Sequence, residues 1–377
     1  MGSKGLEGIV AARTTLSHVY GEEGRLVYGG YEIEDLAENA SFEEVCHLLW
    51  FGELPSRAGL EDLKAKLARG AVVDERVLDL VRAAPREAHP MSTLRTAVSA
   101  LGLVDPDAED MSAGANLRKS IRLTAQAVTV TAAIDRLRNG KEALAPRAGL
   151  SLAANLLYML HGEVPEALAE RIIDAALIVH AEHGMNASTF AARVTAATLS
   201  DLHSATTSAI GTLKGPLHGG ANEQVMRMLL EIPDPEAAGP YVRGKLERGE
   251  KIMGFGHRVY RTTDPRAPIL KRLAEELIRR GGNTRWLQIS DRIQETMREE
   301  MARKGKPIYP NVDFFSASVY YTLGIPLDLF TNVFACARMA GWTAHVMEQY
   351  SDNRLIRPAS EYVGPRGRKV RPIEERA

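Results

Sequence analysis

The chain has 377 residues, more than one hydrophobic core usually serves, so its length predicts two domains or one domain with a large insertion. With 47 basic and 48 acidic residues the formal net charge is −1, so bulk electrostatics favour neither a nucleic acid nor a membrane surface as partner. Its two cysteines, Cys46 and Cys336, are too few for a disulfide framework or a cysteine-built zinc site, and they fit a reducing cytoplasm.

The N-terminus carries no recognisable targeting signal. Residues 1–8 have neither the apolar core of a signal peptide nor the Arg- and Ser-rich character of a transit peptide. The most weakly charged stretch, residues 186–213, contains Arg193 and Asp201 and is interpreted as a buried helix instead of a membrane span. We therefore expect a cytoplasmic protein.

Strand signals are confined to the start of the chain, and the remainder predicts helices. β-Branched and aromatic residues recur between glycines over residues 13–31, which indicates a short hairpin or extended arm. Ser41 and Glu44 form a capping box for a helix through Trp50. Further helices are predicted at 59–68, 74–84, 117–139, 149–161, 165–183, 221–230 and 268–280, and at a core stripe of Trp286, Ile289, Ile293, Met297 and Met301. The predicted fold class is mostly α.

A glycine-rich loop at residues 213–223 holds a single histidine. Glycine and proline flank His218, so the backbone can approach a ligand closely, and a helix begins at Ala221. The positive end of that helix dipole disfavours imidazolium, which predicts a neutral His218 able to donate a hydrogen bond. The competing interpretation is a structural histidine whose hydrogen bonds only stabilise its own loop. That interpretation holds unless other candidate catalytic groups accompany His218.

Two further elements follow along the chain. His257 lies in a second glycine turn, at residues 254–261, with arginines nearby as far as Arg266. Asp313 lies among the apolar and aromatic residues of 309–315, surroundings that raise a carboxylate's pKa and make it a usable base at neutral pH. Neutral histidines, a carboxylate base and arginines suit proton abstraction next to a carbonyl, followed by attack on an anionic electrophile. Each element alone is more simply structural, but the three together predict an enzyme.

Other catalytic classes lack their motifs. The glycines of residues 254–256 are not a dinucleotide fingerprint, because no strand–helix unit with a third glycine at the right spacing follows them. The chain has ten histidines, but it contains no His-Glu-x-x-His motif and no cluster of histidines and carboxylates. No metal site is therefore predicted.

The chain resembles citrate synthases of the short bacterial and archaeal type. The resemblance rests on residues 215–222, 254–257, 264–266 and 310–313, and it extends through 30–37, 89–91 and 183–189 to 357–358. It covers essentially the whole chain, with the motifs in the family's order. It implies a two-domain helical fold with a short N-terminal arm. In that fold, residues 1–219 and 325–377 form a large domain and residues 220–324 form an inserted small domain that closes on it.

The resemblance also implies roles for individual residues. Asp313 would take a proton from the acetyl-CoA methyl group, His218 would support the enolate oxygen, and His257 would polarise the oxaloacetate carbonyl. The oxaloacetate- and citrate-binding residues that it implies are His183, Asn186, Arg266, Arg338 and Arg357. Arg357 would act in the site of the other subunit of a homodimer. The implied CoA-binding residues are Gly254, Phe255, Gly256 and Asn311, with Arg261 and Lys306 as candidate phosphate partners.

For three of these residues, spacing alone leaves a structural alternative. His183 ends a helical stripe and could be a packed histidine at a helix end. Arg338 lies in an apolar helical segment, where its charge needs either a protein carboxylate or a substrate carboxylate as partner. Arg357 lies in a basic tail, where a solvated arginine is the usual case.

The implied reaction is the tricarboxylic acid cycle condensation of acetyl-CoA, oxaloacetate and water to citrate and CoA, without a cofactor. 2-Methylcitrate synthases share every motif above and use propionyl-CoA, and one methylene changes binding in an apolar pocket by only about 1–3 kcal/mol. The bulk of Phe314 and Phe315, directly after the base, is expected to crowd the additional methyl group of a propionyl chain, which favours acetyl-CoA as the substrate. A non-catalytic helical scaffold is the alternative of a different class, and it predicts no convergence of His218, His257 and Asp313.

Overall fold

The computed structural model describes residues 4–6, 8–281 and 284–376. Within these ranges the chain forms sixteen α-helices and one three-stranded antiparallel sheet, which confirms the predicted mostly α class. Of the N-terminal segment 1–8, in which the sequence predicts no targeting signal, residues 1–3 and 7 lie outside the described residues. None of the helices in the described ranges has the length and apolar character needed to cross a membrane.

The elements follow one another from the N-terminal sheet into a long helical array. The strands are β1 (Ser17–Tyr20), β2 (Arg25–Tyr28) and β3 (Tyr31–Glu32). The helices are α1 (Ile33–Asn39), α2 (Phe42–Phe51), α3 (Arg57–Gly70), α4 (Glu75–Ala83), α5 (Pro90–Val104), α6 (Ala113–Arg138), α7 (Leu152–His161), α8 (Ala167–Ala181), α9 (Ala187–Ala196), α10 (Leu202–Leu213), α11 (Ala221–Leu230), α12 (Pro235–Glu247), α13 (Arg266–Arg279), α14 (Arg285–Arg303), α15 (Val312–Thr322) and α16 (Phe330–Ser351).

The N-terminal hairpin is confirmed and is tied to the helical body. In the antiparallel register of β1 and β2, Ser17 lies opposite Tyr28. Leu26 and Tyr28 are fully buried. The Tyr28 hydroxyl donates a hydrogen bond of 2.7 Å to the carbonyl oxygen of Glu182, just beyond α8. The hairpin is thereby anchored at the loop that carries His183.

Several helix starts, among them those of α2, α3 and α7, coincide with capping side chains. The Ser41 hydroxyl accepts from the Glu44 amide, and the Glu44 carboxylate accepts from the Ser41 amide at 2.8 Å, which confirms the predicted capping box of α2. The helix predicted over residues 165–183 ends at Ala181, so His183 lies in the loop beyond α8 and not in its last turn.

The stretch 186–213 is two helices and not one. The chain leaves α9 after Ala196, and Leu199 adopts a left-handed backbone conformation with φ of 63°. Asp201 then caps α10, its carboxylate accepting a hydrogen bond of 2.9 Å from the Ser204 amide. The single-helix interpretation is therefore wrong, because the capping preference of Asp201 restarts the helix.

Two groups of helices surround the region of the site. Buried α16 packs against α6, α8, α9 and α10, and α11 to α15 pack largely on one another. In α14 the residues Trp286, Ile289, Ile293, Met297 and Met301 are buried, which confirms the predicted core stripe. The division into domains at residues 219/220 and 324/325 stays a prediction.

Candidate active site

A cavity of about 370 Å³ lies where the loops before α9, α11 and α15 meet α16. Its walls are His183, Ala187, Pro216, Leu217, His218, Ala221, Gly256, His257, Arg258, Arg266, Asn311, Val312, Asp313, Phe334 and Arg338. The three groups predicted to carry the chemistry, His218, His257 and Asp313, therefore share one cavity. This convergence contradicts the non-catalytic scaffold.

His218 is a neutral histidine of defined orientation. Burial, reinforced by the charge of Arg338, lowers the pKa of His218 to about 4. The Ser188 backbone N–H donates to the His218 Nε2 at 3.3 Å, and the Ser188 hydroxyl lies 2.8 Å from the same atom. Because a backbone N–H can only donate, Nε2 is an acceptor, so the neutral ring carries its proton on Nδ1. His218 thus offers one N–H donor.

His257 is also neutral, with the opposite tautomer. Burial and the charge of Arg266 lower its pKa to about 4, against an opposing effect of Asp264. The backbone N–H groups of Val259 and Tyr260 donate to the His257 Nδ1 at 3.0 and 3.1 Å. The proton therefore resides on Nε2, which makes that atom a donor.

Asp313 is a carboxylate at the start of α15. The Asn311 side chain caps the helix by accepting a 3.0 Å hydrogen bond from the Asp313 amide. Asp313 is only half-buried as a residue, but its Oδ1 is buried and lacks a hydrogen-bond partner among the described residues. Burial raises the pKa of Asp313 to about 7, although Arg266 and Arg338 oppose the rise. The group can therefore act as a base near neutral pH.

Arg266 is held rigidly by a carboxylate two residues before it. Asp264 accepts from Arg266 Nε at 2.9 Å and from Nη2 at 2.7 Å, and both residues are almost completely buried. Asp264 also accepts from the Val312 amide at 3.2 Å. The pair thus joins the start of α13 to the start of α15, and it presents a fixed cation beside Asp313.

Arg338 is buried without a protein carboxylate. Its Nε donates 2.6 Å to the carbonyl oxygen of His180, and its guanidinium lies 4.8 Å from the centre of the Phe334 ring. No carboxylate of the described residues lies within ion-pair distance of it. Burial lowers its pKa to about 10, an effect that Glu182 opposes, so Arg338 stays charged at neutral pH. Such a group favours an anionic ligand.

His183 lies in the cavity wall beside His257. The centres of the two imidazole rings are 5.3 Å apart, and His183 Nε2 lies 3.2 Å from the Tyr260 hydroxyl. Burial, followed by the charge of Arg266, lowers the pKa of His183 well below its usual value. His183 is thus a neutral polar group at the arginine-rich end of the cavity.

The residues predicted to bind CoA divide between neighbouring cavities. Gly256 and Asn311 line the 370 Å³ cavity, and Arg261 lines an adjoining one of about 210 Å³. Phe255 and Lys306 face a larger cavity of about 1100 Å³ beyond the loop of residues 307–310. Gly254 lines none of these three cavities; it adopts φ of 81°, with Phe314 packed against it.

Four other residues are not brought to the cavity. The side chain of Asn186 caps α9 by accepting from the amides of Ser188 and Thr189, and Arg357 lies in the exposed C-terminal tail. Phe314 and Phe315 are 0% and 1% exposed and are absent from the cavity wall. Both rings pack into the core, and the expectation that their bulk favours acetyl-CoA stays a prediction.

Three polar residues that hold the site were not predicted from the sequence. Ser188 fixes the His218 ring, Asp264 fixes Arg266, and Tyr260 contacts His183. Ser188 and Asp264 lie inside motifs that carried the resemblance, so a polar residue within such a motif was the available signal. For Tyr260 the sequence offered none beyond nearness to His257.

The site is built for acid–base chemistry on anionic substrates. It combines one carboxylate of raised pKa, two imidazole N–H donors and two buried arginines. Across the described residues, no group of three or more histidines, cysteines or carboxylates is arranged to hold a metal ion.

Comparison with known proteins gives the family. Citrate synthase 2 of Bacillus subtilis is 51% identical over 376 residues, which cover 100% of this chain and 99% of the relative. The 2-methylcitrate synthase of Mycobacterium tuberculosis is 46% identical over 361 residues, covering 96% of this chain and 90% of the relative.

A solved structure agrees over the same length. The citrate synthase of Thermoplasma acidophilum, described in a ternary complex with carboxymethyl coenzyme A and oxaloacetate, superposes with a TM-score of 0.92 at 34% identity, and the match covers 99% of both chains. Residues 5–359 also match the family model described as "Citrate synthase, C-terminal domain". Since both the sequence match and the structural match run through nearly the whole length, this chain belongs to the citrate synthase family.

Proposed function

We propose that the chain condenses acetyl-CoA with oxaloacetate and water to give citrate and CoA. The observation that carries the proposal is the meeting of Asp313, His218 and His257 at one cavity that also contains two buried arginines. Relatives named citrate synthase, and a related structure described with oxaloacetate and a CoA analogue, support the choice of substrates.

In the first step Asp313 removes a proton from the acetyl-CoA methyl group. A thioester methyl is weakly acidic, so the base requires support for the oxygen that becomes negative. The Nδ1–H of neutral His218 donates a hydrogen bond to that oxygen. A pKa near 7 for Asp313 suits the task, because a large fraction of the group is ionised at neutral pH while it is more basic than an ordinary carboxylate.

In the second step the enolate carbon attacks the ketone carbon of oxaloacetate and forms the new carbon–carbon bond. The ketone oxygen takes the proton of His257 Nε2 as the bond forms. Arg266 and Arg338 bind the carboxylates of oxaloacetate, with His183 as a neutral partner. Water then cleaves the thioester of citryl-CoA and releases CoA, which makes the sequence irreversible.

CoA binding is proposed at the edge of the same cavity. The turn of Gly254, Phe255 and Gly256 allows close backbone approach, and Asn311 adjoins it. Arg261 and Lys306 are exposed cations on either side of the loop 307–310 and are proposed to pair with CoA phosphates.

We also propose a homodimer, in which Arg357 from each exposed tail completes the oxaloacetate site of the other subunit. Arg357 lies in the exposed tail, outside the cavity of its own chain, which is consistent with a role in the cavity of the other subunit. The proposed location is the cytoplasm, with both free cysteines buried. No cofactor enters the proposed reaction.

Propionyl-CoA is the second candidate acyl substrate, and a 2-methylcitrate synthase is 46% identical to this chain. Two observations bear on it. Phe314 and Phe315, next to the base, are buried and do not line the cavity. The cavity wall instead carries the apolar side chains of Ala187, Leu217 and Val312. We favour acetyl-CoA because the relative with 51% identity is named a citrate synthase.

The test is release of free CoA thiol with oxaloacetate and each acyl-CoA in turn. We expect a higher kcat/KM for acetyl-CoA, with propionyl-CoA a slower substrate by about 10- to 200-fold. A preference for propionyl-CoA would reverse the acyl assignment and leave the catalytic residues as proposed. Failure to release thiol from either compound would contradict the proposed function.

A further inference from the structure

One buried hydroxyl of the N-terminal hairpin holds the backbone on both sides of His183. The Ser17 hydroxyl in β1 donates to Glu182 Oε1 at 2.9 Å and accepts from the Gly184 amide at 3.1 Å. Ser17 is 9% exposed and Glu182 is 0% exposed, so both contacts are shielded from water. The two partners of this hydroxyl are the immediate neighbours of His183 in the chain.

Glu182 is itself fixed by α16 and α9. The Arg193 guanidinium donates to His345 Nδ1 at 3.0 Å, so the His345 proton lies on Nε2 and is donated to Glu182 Oε1, also at 3.0 Å. Burial opposes ionisation of Glu182, but His345, Arg338 and Ser17 together lower its pKa. The carboxylate is therefore charged and held in place.

The fit around Glu182 is tight on the side of α16. A Cβ atom at Gly341 would lie 2.4 Å from Glu182 Oε2 and 2.3 Å from the Ala181 carbonyl oxygen. Gly341 is one helical turn beyond Arg338, so the helix that carries Arg338 rests directly on this carboxylate. The hairpin and α16 thereby enclose the loop of residues 182–184 from two sides.

We propose that Ser17 and Glu182 are positioning residues for oxaloacetate, acting through His183. By fixing the backbone before and after His183 they aim its imidazole at the end of the cavity where Arg266 and Arg338 lie. A loop fixed before binding loses less conformational freedom when the substrate arrives, which strengthens binding. This inference rests on the proposed function, because it assumes that His183 contacts oxaloacetate.

The test is Ser17→Ala, which removes the bridging hydroxyl. We expect KM for oxaloacetate, and its Kd by calorimetry, to rise about tenfold, with KM for acetyl-CoA changed less than about twofold. Ser17→Thr, which keeps the hydroxyl, should restore most of the affinity. Thr15→Ala is the matched control, since that exposed hydroxyl lies just before the same hairpin and, within the described part of the chain, contacts Glu348 at 3.5 Å.

Glu182→Asp is an independent test of the same inference, and it remains available if Ser17→Ala fails to fold. This substitution keeps the charge but moves the carboxylate away from Ser17 and His345. It should therefore weaken the binding of oxaloacetate, with little change in KM for acetyl-CoA. Unchanged oxaloacetate affinity in the folded variants, or equal rises in both KM values, would overturn the inference. A wild-type chain inactive with either acyl-CoA would instead defeat the proposed function.

Discussion

At the scale of single residues, Asp313 owes its proposed role to a balance of opposing effects. Burial favours its neutral form and Asp264 adds to that, while Arg266 and Arg338 favour the charged form, and the pKa settles near 7. His218 and His257 are neutral for a similar reason, since burial and a neighbouring arginine each lower their pKa. The helix dipole invoked for His218 from sequence is therefore not needed to explain its neutral state.

Asp313→Asn should abolish most of the activity without unfolding the site. Removing a positioned base typically costs about 10²- to 10⁴-fold, so we expect kcat to fall by that factor. The Kd for oxaloacetate, measured by calorimetry, should change little, because Asp313 does not bind its carboxylates in the proposed mechanism. Asp79→Asn, an exposed carboxylate on α4, is the control. A loss of less than about tenfold would contradict the assignment of the base.

The activity should depend on pH through Asp313. The base must be ionised, and its pKa is about 7, so kcat should fall about tenfold for each pH unit below that value. Neutral His218 and His257, with pKa values near 4, should not limit the rate until the medium is far more acidic. A pH–rate profile from pH 5 to 9 checks this. A flat profile between pH 5 and 7 would show that Asp313 is not the base.

At the scale of elements, one short bridge joins the turn that precedes His257 to the start of α15. The Gly256 amide donates to the Tyr309 carbonyl at 2.8 Å, and the Asn311 amide donates to the Gly254 carbonyl at 2.9 Å. The Asn311 side chain adds a hydrogen bond of 2.9 Å to the Gly256 carbonyl. These hydrogen bonds therefore hold His257 and Asp313 at fixed positions relative to each other, although the two residues come from separate segments.

Gly254→Ala tests how much the site depends on this bridge. Gly254 adopts φ of 81°, and a Cβ atom there would lie 2.8 Å from Val225 Cγ2 and 2.9 Å from Phe314 Cβ. We expect a loss of about 1–3 kcal/mol in the free energy of unfolding, from backbone strain and overpacking together, with a lower kcat.

Gly249→Ala separates the two causes of that loss. Gly249 adopts a similar φ of 73°, but a Cβ atom there meets nothing within 4 Å. It should therefore report backbone strain alone, with a cost of about 1 kcal/mol and normal kcat. Equal denaturation midpoints for the two variants would show that the contacts of Gly254 with Val225 and Phe314 do not matter.

At the scale of the whole molecule, the cavity draws on distant parts of the chain. His183 and His218 come from loops between α8 and α11, His257 and Asp313 from residues 220–324, and Arg338 from α16. Such a site exists only when these parts are packed together, and closure of the predicted small domain would further exclude water. Arg357 is the proposed contribution of a second subunit.

Mixing two inactive variants tests the role of Arg357 across subunits. In a mixed dimer of Arg357→Ala and Asp313→Asn chains, one site has its own intact Asp313 and the intact Arg357 of the other chain. Co-expression in equal amounts should therefore recover about a quarter of wild-type activity, since half of the dimers are mixed and half of their sites are intact. No recovery, with mixed dimers confirmed by mass spectrometry, would place Arg357 in its own subunit's site, and full activity of the Arg357→Ala chain alone would place it outside both sites.

Local sequence alone was enough for the features that depend on near neighbours. The capping box of Ser41 and Glu44, the hairpin at the N-terminus and the stripe in α14 all follow from spacing within a few turns. The glycine loops likewise identified His218 and His257 as candidates, because glycines that flank a histidine are visible in the residue types themselves. Next to His257 the glycines Gly254 and Gly256 do adopt positive φ.

Tertiary structure decided what depends on contacts between residues far apart in sequence. Burial raises the pKa of Asp313, and the Asn186 side chain caps α9. Phe314 packs into the core instead of the cavity. The contact of Ser17 with Glu182 spans 165 positions, so no local pattern signals it. Desolvation and hydrogen-bond pairing are properties of the packed chain, and a linear sequence specifies them only through the complete fold.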